Sequence, residues 1–484
     1  MKKILSITLG ILSLLAVGAV AFMGAKLILP EFQFAAINES LQPEQESSME
    51  NPVTSQPENI TESESKVSRL SFDEHIHRGD MLMKNGYLSL AIKEYIAATN
   101  VSPEKAEPYV KIGTLELQRN HLDQAEKNFK IALDKKPNDY QTITLIGQTL
   151  LNKKEIQKAR ELFDKSANYN PKAKYYQGVV AAFNQEHDLS QQKLNEILQT
   201  SSDTHLKNKA QTILDAYAEF KKFQEGSKSH MKTLLARSFN QVNEYVLASE
   251  LLYQVLRELP GYRDAWILLG YSFLKQENFL DAKNSFQEAL KIDPEKPETH
   301  YFLGLAYFGM DETNKAILHL EIALQNQFQP EIHVKQKLAE IYLIKQDFEN
   351  AAKYYQEILG NPHATSENYI RPIWIWIEHL KQPAKARTIA ETLLEKYPDD
   401  AMSYNLMGWS ELANNNIPQA KQYLEKALEL NPNLDAAYLN LGMLYEKTGD
   451  IQSAKENYKK AYNLGQGNSI ANLAAQKYNE LAKE

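Results

Sequence analysis

The fold is decided by residues 263–296, which read RDAWILLGYSFLKQENFLDAKNSFQEALKIDPEK. Apolar and small residues recur in this stretch at the spacing of α-helices, in two stripes separated by a polar turn. The first stripe is Trp266, Leu269, Gly270 and Phe273, and the second is Ala282, Phe286 and Ala289. Pro294 ends the second helix, because a proline nitrogen cannot donate the backbone hydrogen bond that would continue it. The stretch therefore predicts two helices packed face to face, with Gly270 and Ala282 at their closest approach.

The same pattern returns along the chain with a period of about 34 residues. Gly79, Gly113 and Gly147 are 34 residues apart. The small residue of the second helix recurs at spacings of 34 or 35, at Ala248, Ala282, Ala316, Ala351, Ala386, Ala420 and Ala454. Ten clear copies begin near residues 72, 106, 140, 229, 263, 297, 332, 367, 401 and 435. A helix pair of this size buries its apolar face only by stacking on its neighbours, so the pattern predicts an extended array.

Departures from the pattern divide the array. The register is lost between about 174 and 228, which predicts a degenerate copy followed by a helix near 204–225. Trp374 occupies a position that is small in the other copies, so we expect the helices there to be more widely spaced or reoriented. The predicted segments are a first block over 69–200, a connecting helix over 201–228, a second block of seven copies over 229–467 and a capping helix over 468–484.

These residues resemble the tetratricopeptide repeat, whose pattern is Trp, Leu-Gly, Tyr, Ala, Phe, Ala and Pro. The copy at 263 supplies Trp266, Leu269-Gly270, Phe273, Ala282, Phe286, Ala289 and Pro294. The resemblance covers most of the chain beyond residue 69. It implies an all-α fold, a right-handed α-solenoid of helix pairs in which the first helices line a concave groove that holds extended or helical peptides.

The stripe that this resemblance places in the groove is offset from the face that joins each pair. It is apolar in the later copies and mainly polar in the early ones, as at Thr114 and Gln148. We therefore expect a protein or peptide partner to bind the second block. The predicted groove residues are Ile267, Tyr271, Leu274, Tyr301, Leu305, Phe308, Arg371, Ile375, Asn405, Trp409 and Met443. The alternative is that these side chains pack against the first helix of the neighbouring repeat. In relatives that bind chaperone C-termini, a Lys is followed four residues later by Asn on this face, and none of the copies has that pair.

The N-terminus predicts a membrane anchor. Residues 4–25 contain no charge, and at about 1.5 Å per residue they are long enough for a hydrocarbon core of about 30 Å. Lys2 and Lys3 precede them, which favours a cytoplasmic N-terminus and a repeat region outside the cell membrane. The alternative is a signal peptide cleaved near Ala21, which would make the protein periplasmic or secreted. We assign residues 1–30 to the anchor.

Residues 31–68 hold eight acidic residues and one lysine, with few large apolar side chains. Such a segment cannot bury enough surface to offset its ordering entropy, so it predicts a disordered linker. The net charge is −8 for the whole chain and −4 beyond residue 68, without a basic stripe that would suit nucleic acid.

The sequence indicates no catalytic chemistry. It has no cysteine, which excludes disulfides and Cys-ligated metals, and it has no His-Glu-x-x-His, Walker-type or Gly-x-Ser-x-Gly motif. His75 and His77 are two residues apart on a helix and point to different faces, so a shared metal is not expected. We predict no enzyme activity, no cofactor, no metal and no small-molecule substrate. The predicted function is a membrane-anchored scaffold that binds protein and acts in cell-envelope assembly or secretion. The alternatives are a secreted or periplasmic scaffold and an accessory subunit that positions substrate for a separate enzyme.

Overall fold

The computed structural model describes residues 70–84, 86–222, 227–361, 364–465 and 468–483. Within these ranges every regular element is helical, which confirms the predicted all-α class. The predicted anchor over 1–30 and linker over 31–68 lie outside the described residues. The chain divides into two compact units after Met310, inside the segment predicted as the second block.

The first unit is built from helix pairs. Its helices are α1 (Phe72–Lys84), α2 (Leu88–Val101), α3 (Glu107–Gln118), α4 (Leu122–Lys135), α5 (Tyr140–Asn152), α6 (Ile156–Ser166), α7 (Pro171–Phe183), α8 (His187–Thr200), α9 (Thr204–Phe220), α10 (Lys228–Gln241), α11 (Tyr245–Glu258), α12 (Arg263–Lys275), α13 (Phe279–Ile292) and α14 (Pro297–Gly309). Each second helix packs on its own first helix and on the first helix of the next pair. The degenerate copy is a complete pair, α7 and α8, and α9 follows it without a partner of its own.

The second unit continues the same construction. Its helices are α15 (Thr313–Gln325), α16 (Glu331–Ile344), α17 (Phe348–Leu359), α18 (Ile370–Trp374), α19 (Pro383–Lys396), α20 (Ala401–Ala413), α21 (Ile417–Leu430), α22 (Asp435–Thr448), α23 (Ile451–Gly465) and α24 (Ser469–Lys483). A short 3₁₀ turn, Ser366–Tyr369, precedes α18, and a π-helix, Ile375–His379, follows it. The last helix, α24, packs on α22 and α23 and buries Ala471 and Ala474.

The repeated small residues lie where the two helices of a pair approach most closely. A Cβ added at Gly270 would lie 2.5 Å from the ring of Phe286, and one at Gly113 would lie 2.7 Å from the ring of Phe129. Real Cβ atoms do not come that close to a ring, so these positions require glycine unless the pair separates. The aromatic ring of the second helix thus packs directly against the backbone of the first.

Trp374 lies at this same position in its own copy, and the first helix changes form around it. The helix is α-helical up to Trp374 and π-helical from Ile375 to His379. The Trp374 ring stays half-buried and lies 4.4 Å from the ring of His379, which stacks on Phe348 at 3.8 Å. Widening the helix by one residue per turn therefore accommodates a large side chain where the other copies have a small one.

Candidate functional site

The predicted groove residues of the first unit lie on neighbouring first helices, α12 and α14. Ile267 and Tyr271 are only 2% and 4% exposed, and Leu274, Tyr301 and Leu305 are also buried. The Tyr271 ring packs edge-on against Phe302 at 5.5 Å. These side chains therefore fill the space between adjacent first helices instead of lining an open groove, because the stripe beside the pairing face meets the next first helix. Phe308, at the end of α14, is half-buried.

Burial also sets the electrostatics of this face. It raises the pKa of the Tyr271 phenol to about 12, so the hydroxyl stays protonated and available as a hydrogen-bond donor at neutral pH. On the adjacent first helix, Asn240 donates from Nδ2 to the carbonyl of Leu268 at 3.2 Å and accepts from Ser272 at 2.8 Å. Polar side chains thus tie α10 to α12 at the bottom of the face.

The predicted groove residues of the second unit come from α18, the π-helix, α20 and α22. Ile375 is fully buried and Asn405 is 2% exposed, whereas Arg371, Trp409 and Met443 are half-buried and reach the surface. The Arg371 guanidinium lies 5.7 Å from the centre of the Trp374 ring. The accessible part of this face is therefore one cation and two large apolar side chains, which is the composition expected of an interaction surface.

An asparagine pair forms the floor of this second face. Asn440 of α22 donates from Nδ2 to Oδ1 of Asn405 at 2.9 Å, and both are buried. Asn405 in turn donates to the thioether of Met402 at 3.5 Å, a weak acceptor. Asn405 is among the predicted groove residues and Asn440 is not, although the two lie 35 residues apart in neighbouring copies. This spacing, the length of one repeat, is the signal in the sequence that could have identified Asn440.

In the early copies, the residues of the corresponding first-helix face differ in how deeply they are buried. On α3 the face residues Val110, Thr114 and Leu117 are half-buried, whereas on α5 Thr144 and Leu151 are buried. Gln148 of α5 donates to the Tyr176 hydroxyl of α7 at 2.6 Å. A group of buried and half-buried polar residues around Tyr176 and Glu244 was not predicted, because the residues that form it are far apart in the sequence.

Within the described ranges, no group of three or more His, Asp or Glu side chains is placed to hold a metal ion. His75 hydrogen-bonds Glu94 at 2.7 Å. No helix in the part of the chain that the structure describes is long and apolar enough to cross a membrane. The span predicted over residues 4–25 is outside that part.

Family models for tetratricopeptide repeats match this chain at five places. A model described as TPR repeat matches residues 270–311, and three described as tetratricopeptide repeat match 110–173, 332–360, 401–434 and 423–456. The chain is a tetratricopeptide-repeat protein. The matches fall on helix pairs of both units.

Curated relatives share the repeats over part of their length. The chain is 22% identical over 234 residues to the mitochondrial import receptor subunit TOM70 of Homo sapiens, covering 46% of this chain and 38% of the relative. It is 25% identical over 240 residues to the peroxisomal targeting signal receptor of Saccharomyces cerevisiae, with the same coverages. It is 25% identical over 202 residues to the protein O-mannosyl-transferase TMTC3 of Homo sapiens, covering 42% of this chain and 18% of the relative. The chain thus spans less than two fifths of each of these proteins.

Solved structures of similar proteins include yeast Tom70, at 14% identity and a TM-score of 0.32, covering 85% of this chain and 95% of that one. Another is the APC/C hetero-tetramer Cut9-Hcn1, at 12% identity and a TM-score of 0.30, covering 85% and 96%. Scores this low carry nothing about the arrangement of the repeats. The helix pairs and the family models establish the repeat type without them.

Proposed function

We propose that this protein is a scaffold that binds a protein or peptide partner on the first-helix face of its later tetratricopeptide repeats. The observation that carries the proposal is the surface made by Arg371, Trp409 and Met443 in the second unit, above a buried floor that includes Asn405. Aromatic and Arg side chains contribute most to the affinity of protein interfaces when rigid neighbours hold them in place. Two relatives are named as receptors, one for mitochondrial import and one for a peroxisomal targeting signal. We further propose that the stacked pairs coil into a right-handed solenoid.

In this proposal the buried residues Ile267, Tyr271, Leu274, Tyr301 and Leu305 of the first unit pack between their own helices and do not contact the partner. The same holds for Ile375 in the second unit. Contact is left to the half-buried residues Arg371, Trp409 and Met443 of the second unit. The partner would be a protein segment and not a nucleic acid, because the repeats offer no basic stripe.

The test is quantitative affinity capture with the full-length chain from its own cells. We expect Trp409→Ala combined with Arg371→Ala to reduce the captured partner at least tenfold, because both accessible anchors are lost. The matched control is Tyr404→Ala, which removes a half-buried aromatic side chain from the same helix, on the side that faces Tyr423 at 6.3 Å. Equal capture by the two variants would reject this face as the binding site.

We also propose that residues 4–25 anchor the protein in a membrane, with the repeats on the extracytoplasmic side. In this proposal the protein acts in cell-envelope assembly or secretion. The uncharged run and the preceding Lys2 and Lys3 support this topology. N-terminal sequencing of the mature protein tests it, since a chain that begins near residue 22 would be a released periplasmic or secreted form. An accessory subunit of an enzyme would instead be captured in fixed ratio with that enzyme.

A further inference from the structure

The first helix pair exposes a surface that the next copy buries. In the second copy, Ile112 and Leu115 of α3 are 6% and 0% exposed, because they pack in one cluster with Tyr95 of α2. One repeat earlier, the equivalent residues of α1 are Arg78 and Met81. The side chain of Arg78 is 55% exposed, and Met81 is 53% exposed. In the part of the chain that the structure describes, no second helix precedes α1, so this side of α1 stays open.

Helix α2 adds apolar side chains to this surface where the next copy has polar ones. Leu90 and Val101 are both about half exposed. Their equivalents one repeat later are Gln124 and Lys135, which are also exposed. Exposed polar residues at these positions need no neighbour, whereas exposed leucine and valine side chains gain free energy when another group covers them. The first pair therefore differs from the next one in having apolar surface to bury.

Glu94 shows that the two parts form one surface. It lies four residues after Leu90 and seven before Val101, so the three side chains share one side of α2. Its carboxylate pairs with the guanidinium of Arg78 on α1 at 3.2 Å. Met81 lies three residues after Arg78 on the same side of α1. We call Arg78, Met81, Leu90 and Val101 the upstream face.

The chemistry of the upstream face suits an apolar segment that carries acidic residues. Three of its four side chains are large and apolar, and the Arg78 guanidinium has five N–H donors, of which Glu94 uses only part. The remaining acid on this side of α1, Glu74, accepts hydrogen bonds from the backbone nitrogen and the hydroxyl of Ser71, both at 2.7 Å. A complementary segment thus presents apolar side chains together with a carboxylate.

The chain has such a segment a short distance before α1. Residues 31–41 read EFQFAAINESL, with two acids and no basic residue. Phe34, Ile37 and Leu41 have the spacing of one face of a helix, and Glu39 lies between the last two. Residues 42–71 separate this segment from α1. A chain of that length spans on the order of 30 Å, which keeps the segment near the upstream face at an effective concentration of about a millimolar.

We infer that residues 32–41 bind the upstream face and take the place that a preceding pair has in the rest of the array. In the next pairs, the second helix that comes before a first helix along the chain packs on it, so the residues before α1 are the expected occupant of this side. In this arrangement Phe34, Ile37 and Leu41 pack on the apolar side chains of the face, and Glu39 pairs with Arg78. The surface is not the first-helix face around Trp409, which belongs to the other unit.

Binding of this segment has a consequence for the anchor proposed above, and that consequence rests on the anchoring proposal. The first pair would be held next to residue 30 instead of at the far end of residues 31–68. The binding itself does not require an anchor, because cleavage near Ala21 leaves residues 32–41 on the chain. The two proposals can therefore fail separately.

Cross-linking within the full-length chain tests the inference. Because the chain has no cysteine, Asn38→Cys with Ser89→Cys places the only two thiols beside Ile37 and Leu90 and alters neither. We expect a short bis-maleimide to link this pair at least tenfold faster than Asn38→Cys with Gln157→Cys. Gln157 is the matched control, because it is exposed and holds the position of Ser89 two copies later. Equal rates for the two pairs would overturn the inference.

Variants of the segment separate binding from the mere reach of the linker. Phe34→Asp with Ile37→Asp should slow the cross-link to position 89 at least tenfold, because the apolar contacts are lost. The control is Val53→Asp with Ile60→Asp, which changes two apolar residues outside the segment and should leave the rate as it was. An unaltered rate in the first variant would contradict the inference.

The same chains report on the other possible occupants of the upstream face. If a tagged and an untagged chain become linked to each other in place of the link within one chain, a second copy covers the face and the inference is wrong. A polarity-sensitive dye on Ser89→Cys should move to a more polar environment when Phe34 and Ile37 are both changed to Asp. A dye that keeps its apolar environment in that variant only when lipid vesicles are present would assign the face to a lipid surface instead.

Discussion

Gly270 and Phe286 illustrate how single residues determine the geometry of a pair. The ring of Phe286 occupies the place where a Cβ on Gly270 would be, 2.5 Å away, so the glycine allows the two helix axes to approach. The sequence predicts this contact because a small residue recurs 16 positions before a large apolar one, an aromatic residue here and a leucine in other copies, as at Gly408 and Leu424. The free energy of unfolding of the pair therefore depends on whether a single carbon atom is present at this position.

Gly270→Ala should therefore destabilise the first unit by about 1–3 kcal/mol, the usual cost of overpacking a core. Urea unfolding followed by far-ultraviolet circular dichroism measures the change. Gly261→Ala is the matched control, because a Cβ at Gly261 would meet nothing within 4 Å. A loss of stability equal in the two variants would show that the close approach is not what requires glycine at 270.

Glu244 provides a pH-dependent prediction at the same scale. Burial raises the pKa of this carboxyl above its unfolded value, against the opposing influence of Lys209, Tyr176 and Lys172. A raised carboxyl pKa means that the folded state binds the proton more tightly, so the associated stability is present at low pH and is lost as pH rises through the folded pKa. Protection of α11 from hydrogen exchange, corrected for intrinsic rates, should thus be higher near pH 4 than near pH 7.

Glu244→Gln should remove most of this pH dependence, because the amide does not titrate and still accepts from Tyr176. Its stability near pH 7 should equal or exceed that of the unaltered chain. A variant that loses protection at pH 7 and keeps the same pH dependence would show that Lys209 and Lys172 stabilise the charged carboxylate more than burial penalises it.

At the scale of helices, the sequence predicted the helix pairs but did not predict which side chains pack between neighbouring pairs. The periodic glycines and alanines located each pair, since the pairing contact is local and repeats. Ile267 and Tyr271 were expected in an open groove and are buried instead, because the distance between successive first helices is not encoded in one copy. The contact of α11 with α5 also depends on the unpaired α9, and residues 96 apart such as Lys154 and Glu250 carry no periodic signal.

The turns between paired helices share one backbone feature. A residue in the turn that follows the first helix adopts a left-handed conformation, with φ of 51° at Lys381 and 65° at Asn415, each the second residue after the helix ends. This conformation costs a residue with a β-carbon about 1–2 kcal/mol, less for asparagine, and costs glycine almost nothing. The sequence did not predict it, because within the described part of the chain glycine marks the position only at Gly86 and Gly449.

Lys381→Gly should accordingly raise the free energy of unfolding of the second unit by about 0.5–1 kcal/mol, after the greater flexibility of glycine in the unfolded chain is subtracted. Asn415→Gly is the comparison, and it should gain less because asparagine tolerates the left-handed region. Chemical denaturation measures both. A decrease for Lys381→Gly would mean that its side-chain contacts outweigh the backbone strain.

At the scale of the whole molecule, the protein is a set of helix pairs in which each pair depends on its neighbours. The last pair, α22 and α23, is covered by α24, which buries Ala474 and Leu481 against Tyr458 and Ala461. In such an array the free energy of unfolding is the sum of contributions from each pair and from the contacts between neighbours. A change at one end therefore destabilises mainly the pairs next to it.

Ending the chain at Gly465 should consequently accelerate hydrogen exchange in α22 and α23 by at least tenfold and leave α16 and α17 unchanged. Peptide-level mass spectrometry reports both regions in one experiment. Uniform acceleration throughout the second unit would show that this unit unfolds as one cooperative body and not pair by pair.

The central claim is that the first-helix face of the later repeats binds a protein. Site-specific photo-cross-linking in living cells tests it most directly, with a photoreactive phenylalanine analogue placed singly at Trp409, Met443, Tyr404 or Tyr423 of the full-length chain. We predict that Trp409 and Met443 link to the same partner protein, while Tyr404 and Tyr423 give no such product. Cross-links of equal yield at all four positions, or at Tyr404 and Tyr423 alone, would contradict the claim.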